Sequence, residues 1–277
     1  MPSRVAGRDA GIARTSKITI TSTVNTRTQG EGHRIDAYTE VYYTWRRKGL
    51  EHVLSVDSLL VKARINGEES MNTFMSRAKL VNTEQGQTQE VSFDEASDEL
   101  KKTPRDSFDV PLCILQVDAS GKETRRTVVA GAGAKSMVDN GMIANALLFH
   151  PPFPPQRKEW QADAEFSTGN GGSAQGKLTY TTVPGRGPRR LFKVSGKCSR
   201  ESFRLPDKPL TMKDVLFVVS GEQTYDPAQR AWVSGKLAVD VSFQMITDDQ
   251  TTTSAKGKMT LSCEESPGRQ TTRPSNR

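Results

Sequence analysis

The sequence predicts a mainly β protein: antiparallel meanders forming a curved sheet, an open barrel or a sandwich, with one principal helix near residues 135–149. Two observations predict it. Apolar side chains recur at every second residue over long stretches, as a strand with one buried face requires and a helix does not. Turn chemistry separates those stretches, above all Asn66-Gly67, a dipeptide whose residues accept the positive φ angles of a tight hairpin.

The elements follow in order. In Lys17–Val24, Ile18, Ile20 and Val24 fall on one face, and Thr28–Gly32 turns the chain. Ala37, Thr39, Val41, Tyr43 and Trp45 share one side of the next strand, with Asp36, Glu40 and Thr44 opposite, and Arg46–Gly49 reads as a tight turn. A strand over Val53–Ile65 puts Leu59, Val61, Ala63 and Ile65 on one face, and its hairpin partner runs over Met71–Leu80 to complete a four-stranded meander. Asp94–Lys102 begins acidic and ends basic, which suits a short helix that Pro104 stops. Val110–Val117 and Glu123–Val129 form a hairpin. In Lys135–Phe149, Val138, Met142 and Ala146 recur at i+4 with Ile143 and Leu147 beside them, and the prolines from Pro151 to Pro155 end that helix. Strands resume at Glu159–Phe166, Lys177–Val183, Leu191–Gly196, Val215–Gly221, Ala231–Ile246 and Lys256–Cys263, with Asp248-Asp249-Gln250 as a hairpin tip.

These elements divide the chain into a basic tail (1–15), a first meander (16–93), a connecting region (94–155), a second meander (156–263) and a second tail (264–277). Both meanders contain a strand that ends in a basic, Gly-containing turn, at Tyr43–Gly49 and Tyr180–Arg186, which suggests an internal duplication.

The net charge of +7 comes largely from the ends, so it does not mark a binding stripe, and a nucleic-acid partner is not expected. No run of about 18 apolar residues supplies a transmembrane helix. The start of the sequence has no apolar segment of secretory type; a cytoplasmic protein, or a periplasmic or secreted one whose export signal is not in this sequence, are both open. Cys113, Cys198 and Cys263 form no C-x-x-C pair, and Cys113 within Leu112–Leu115 reads as a buried apolar residue.

Familiar chemistry is mostly excluded. Gly131–Ser136 lacks the glycine that a phosphate loop needs directly before its lysine; Ala134 stands there. His33, His52 and His150 are isolated, with no second ligand at metal spacing, so neither a metal nor a cofactor is expected. A hydrolase site assembled from loops remains the alternative to a binding protein. The one aromatic concentration is Tyr38, Tyr42, Tyr43 and Trp45, with Tyr43 and Trp45 on one face and Tyr38 and Tyr42 on the other. Such residues are core on one side and cross-strand pairs on the other, or they line a groove; these four are the candidate ligand-binding residues.

Leu147–Pro154 followed by a strand opening at Trp160, and Gly221–Asp226 followed by Trp232–Gly235, resemble segments of β-rich bacterial envelope proteins to which no activity is assigned. The resemblance covers the second half of the chain. It implies an exported, membrane-associated β protein and nothing catalytic; the expected function is non-enzymatic binding, with a concave sheet face holding a partner or an apolar small molecule or lipid. The chain departs from that group in having no export signal or lipid-attachment cysteine near its first residue.

Overall fold

The computed structural model describes residues 12–84, 87–91, 108–119, 123–129, 141–152, 157–169, 172–185, 187–205 and 209–266. The expected helix at Asp94–Lys102, the Gly131–Ser136 run and the two chain ends lie outside them.

Among the described residues, fourteen antiparallel strands form one open sheet that does not close into a barrel. β1 (Ile12–Thr28), β2 (Glu31–Lys48), β3 (Glu51–Ile65) and β4 (Glu68–Ser76) are the expected meander, extended by β5 (Leu80–Glu84) and β6 (Gln87–Val91). The single strand expected over Met71–Leu80 is therefore two strands, separated by a bend after Ser76. The Asn66-Gly67 hairpin is as expected, with φ of 53° and 91°, both in the region its turn demands.

On the other side of β1 follow β14 (Thr252–Ser266), β13 (Ala231–Thr247), β12 (Leu210–Asp226), β11 (Arg190–Arg204), β10 (Gly172–Val183) and β9 (Glu159–Gly169). The first strand is thus zipped to the last, from Thr15↔Ser266 to Thr28↔Thr253.

Two devices shape this sheet. The first is a bulge at Asp57, which lies between the Tyr42↔Ser58 and Tyr43↔Val56 pairs and accepts a 2.7 Å bond from Thr44 Oγ1. It shifts β3 by one residue, so Leu54 and Val56 share a face with Leu59 and Val61 despite their opposite parity. It also forks the sheet: Glu51–Ser55 pair with β7 (Pro111–Val117), which pairs β8 (Glu123–Val128), whereas Ser58–Ile65 pair with β4.

The second device is a diagonal of glycines. Gly176 on β10 pairs with Cys198, two residues beyond Gly196 on β11; Gly196 pairs with Val219, two before Gly221 on β12; Gly221 pairs with Leu237, two beyond Gly235 on β13. At the first three, a Cβ would lie 2.0–2.3 Å from a carbonyl oxygen of the adjacent strand. Neighbouring backbones approach along this line more closely than any side chain permits, and the sheet creases there.

The faces differ in polarity. Inward rows such as Leu261, Leu237 and Val194 are buried, while the outward residues of β11 and β13 include Lys193, Lys197, Lys236 and Asp240, all exposed. A membrane-spanning barrel has the reverse pattern, with an apolar band outside.

Helix α1 (Met142–Leu148) crosses the interior. It is shorter than the expected 135–149: Gly141 has φ 80°, a left-handed conformation that no helical residue adopts, so the helix starts after it, and 135–140 lie outside the described residues. Tyr43 Oη donates to Met142 O at 2.7 Å from the β2 side. Gln223 Nε2 donates to Leu148 O at 2.8 Å and Trp232 Nε1 to Pro151 O at 2.9 Å from the opposite wall. Residues 141–152 are thereby pinned between the two arms of the sheet.

Candidate functional site

The roll brings edge strand β9 towards β7 and β8 without backbone pairing among the described residues. Arg126 on β8 reaches Glu165 on β9 at 3.8 Å across that seam. Beneath it lies a cavity of about 850 Å³, within the range that holds small-molecule ligands. Leu115 and Val117 of β7, Leu147 and Leu148 of α1 and Ala162 of β9 supply apolar walls.

All three tryptophans of the chain, Trp45, Trp160 and Trp232, line this one cavity. Trp160 stacks on Tyr180 with ring centroids 4.9 Å apart and lies 6.5 Å from Trp232. Trp45 meets His150 at 4.3 Å and His52 at 6.4 Å. Each indole comes from a different part of the chain: the end of β2, the start of β9 and the start of β13.

Buried polar side-chain atoms normally find partners, so exceptions are informative. Among the described residues seven such atoms have none, and five belong to residues of this cavity: Arg14 Nη1, Trp45 Nε1, His52 Nε2, His150 Nε2 and Trp160 Nε1. Burial above all, with His52 and the Arg14 guanidinium nearby, pushes the His150 imidazole down to about 3. Burial, with Arg47, lowers His52 as well. Both rings are therefore neutral near pH 7.

A hydrolase needs a histidine hydrogen-bonded to a nucleophile and oriented by a carboxylate. Among the described residues no hydroxyl, thiol or carboxylate meets Nε2 of His52 or His150, and His33 Nδ1 instead meets Asn66 Nδ2 at 3.1 Å at the surface. Cys113, Cys198 and Cys263 are buried and in no disulfide, and burial pushes the Cys198 and Cys263 thiols up to about 11 and 12. No group of three metal-ligating side chains occurs among the described residues.

Of the four aromatic residues singled out from the sequence, only Trp45 lines the cavity. Tyr43 is fully buried against α1. Tyr38 and Tyr42 lie on the outer face beside Glu40, to which Tyr38 Oη donates at 2.7 Å and Lys17 pairs at 3.6 Å. Partial burial raises the Glu40 carboxyl, but the two tyrosine hydroxyls and Lys17 outweigh it and hold the group below its ordinary range. Arg14 and Tyr180 carry no local signal of a site; His52 and His150 stand out only as isolated histidines, and Trp160 and Trp232 only through the resemblance noted from the sequence. Their convergence depends on strand order and on the roll, which the periodicity of one strand does not carry.

No protein-family profile matches the chain, and no curated protein matches it. Among solved structures it is similar to lipovitellin, in a structure describing lipid–protein interactions, at 12% identity and a TM-score of 0.48 over 92% of this chain. This chain spans 25% of the length of that one. It is also similar to OpdQ of Pseudomonas aeruginosa (7% identity, TM-score 0.26, 91% of this chain and 99% of that one). A third is the translocator domain of the autotransporter NalP from Neisseria meningitidis (9% identity, TM-score 0.23, 93% of this chain and 89% of that one). The likeness is one of β-rich architecture, with envelope proteins among the neighbours.

Proposed function

We propose that the protein is a non-enzymatic carrier that holds an apolar or amphipathic small molecule, of lipid-chain character, in the cavity between α1 and the seam of the sheet. The convergence of Trp45, Trp160 and Trp232 on one space of about 850 Å³ carries this reading. Indoles offer large apolar faces at little conformational cost, and a space bounded by them and by Leu, Val and Ala side chains favours hydrocarbon over water. The polar exterior keeps such a complex soluble in water, and association with a bacterial envelope is the setting we favour.

Because every tryptophan borders the cavity, a quenching acyl chain tests the reading directly. A doxyl-labelled or dibrominated fatty acid, added to the full chain, is expected to quench most of the indole emission saturably at one equivalent. Quenching that only grows linearly with concentration, as random collision gives, would refute the carrier reading.

A further inference from the structure

The unpartnered polar atoms are not scattered round the cavity. Arg14 and Trp45 are directly paired across β1 and β2, His52 pairs with Arg47 two residues along, and the His150 ring lies against Trp45. Three of the five orphaned atoms, Arg14 Nη1, Trp45 Nε1 and Trp160 Nε1, can only donate. A neutral imidazole can donate through Nε2 as well. Donors left bare in a buried, partly apolar space are costly unless something with acceptor oxygens meets them. Glu265 lies 3.5 Å from Arg14 Nη1 but completes no hydrogen bond with it. Four arginines at the cavity, Arg14, Arg47, Arg126 and Arg230, face two glutamates, Glu165 and Glu265; Lys177 and Asp163 are cross-strand neighbours and offset each other. Among the described residues of this lining, cationic side chains outnumber anionic ones.

We infer that the ligand carries one anionic, acceptor-rich head, a carboxylate on a single apolar chain, and that this head is held at the Arg14–Trp45–His52–His150 corner while the chain runs along Trp160, Tyr180 and Trp232. The inference rests on the carrier reading above and adds the chemistry of the head. A carboxylate presents two oxygens with several lone-pair directions, enough to satisfy the guanidinium, the indole N–H and one imidazole together. An ammonium head would leave every donor bare and meet the arginines with like charge. An uncharged hydroxyl head would satisfy fewer of them.

The test is isothermal titration of the full chain at neutral pH with dodecanoate, dodecanol, methyl dodecanoate and dodecylamine. Dodecanoate is expected to bind about tenfold or more tightly than the alcohol and ester, as a charge-assisted bond gives, with the amine weakest. Arg14→Gln is expected to cut that advantage to about twofold, and Trp45→Phe, which keeps a ring but removes the N–H, to cut it severalfold. Lys236→Gln, on the outer face, serves as the control. Equal affinity for acid and alcohol in the unaltered protein, or preference for the amine, would overturn the head assignment while leaving the carrier reading intact. Failure of all four chains to bind would remove both. Cosedimentation with phosphatidylglycerol vesicles, without binding of monomeric dodecanoate, would assign the positive corner to a membrane surface and overturn the inference.

Discussion

The two arms of the sheet fold by different means. From β9 to β13 the inward rows are closed: Leu178, Phe192 and Leu237 are fully buried, and the glycine diagonal lets the strands curl tightly over them. From β3 to β6 the inner face opens: Met71 and Ile65 are 47% and 44% exposed, and the bulge at Asp57 splits the sheet instead of curling it. A glycine crease turns a sheet inward on itself; a bulge with a fork sends strands apart. The cavity sits where the curled arm meets the forked one. Neither arm alone encloses it, and residues 141–152 stitch the two together through Tyr43 on one side and Gln223 and Trp232 on the other.

Substitutions in the crease break this contrast most sharply. A Cβ at Gly196 would stand 2.3 Å from Lys177 O, so Gly196→Val must displace backbone. It is expected to cost roughly 3 kcal/mol or more, or to abolish folding. Gly32→Ala in the first arm meets nothing nearer than 3.7 Å and is expected to stay within about 0.5 kcal/mol, both variants being measured by urea titration. Similar costs at both positions would mean the crease does not shape the sheet.

Cavity-forming changes come next. Leu237→Ala removes a fully buried side chain from the closed arm and is expected to cost about 2–5 kcal/mol. Met75→Ala, at a partly buried position of the open arm, is expected to cost about 1 kcal/mol. Comparable losses in urea midpoints would show that the first arm is as closely packed as the second.

The smallest effect sharpens the junction. His150 ionises at about 3 in the fold and near its ordinary 6.5 when unfolded. Between those values the unfolded chain binds a proton that the native one refuses, so stability falls as pH falls. The slope is at most about 1.4 kcal/mol per pH unit. The window from pH 6.5 to about 5 holds the two lowered histidines, His150 and His52, while carboxylates such as Asp36 and Glu40, both lowered by their partners, titrate below it. His150→Gln is expected to flatten this part of the profile. An unchanged slope would mean that His150 is hydrated and protonated in the native state.

Much of the fold was legible in the sequence, for a local reason. Alternation over Lys17–Val24 and Ala37–Trp45 reports which side of a strand is buried, and Asn66-Gly67 requires nothing beyond its own backbone. The bulge escaped because Leu59–Ile65 alternate perfectly by themselves, and nothing in that stretch reveals that Leu54 and Val56 join the same face across Asp57. A helix running unbroken through Gly141 is what the apolar spacing predicts, because that spacing does not register the residue's left-handed turn. The site was legible only at Trp45, where aromatic residues crowd together. Trp160 and Trp232 reach it through the zipping of first strand to last, a pairing that spans more than a hundred residues, and Arg14 through its pair with Trp45 across β1 and β2.

Three indole N–H groups make a compact reporter of the cavity, since the chain has three tryptophans and all border it. In a ¹H–¹⁵N spectrum of the full chain titrated with dodecanoate, the Trp45 signal, whose N–H has no partner and would meet the head, is expected to move downfield, and the Trp160 signal, beside the chain, to shift with it, both saturating at one equivalent. The Trp232 signal, already bonded to Pro151 O, is expected to move less. Three indole signals that stay still while the fatty acid is in excess would contradict a ligand-holding cavity at this place in the fold.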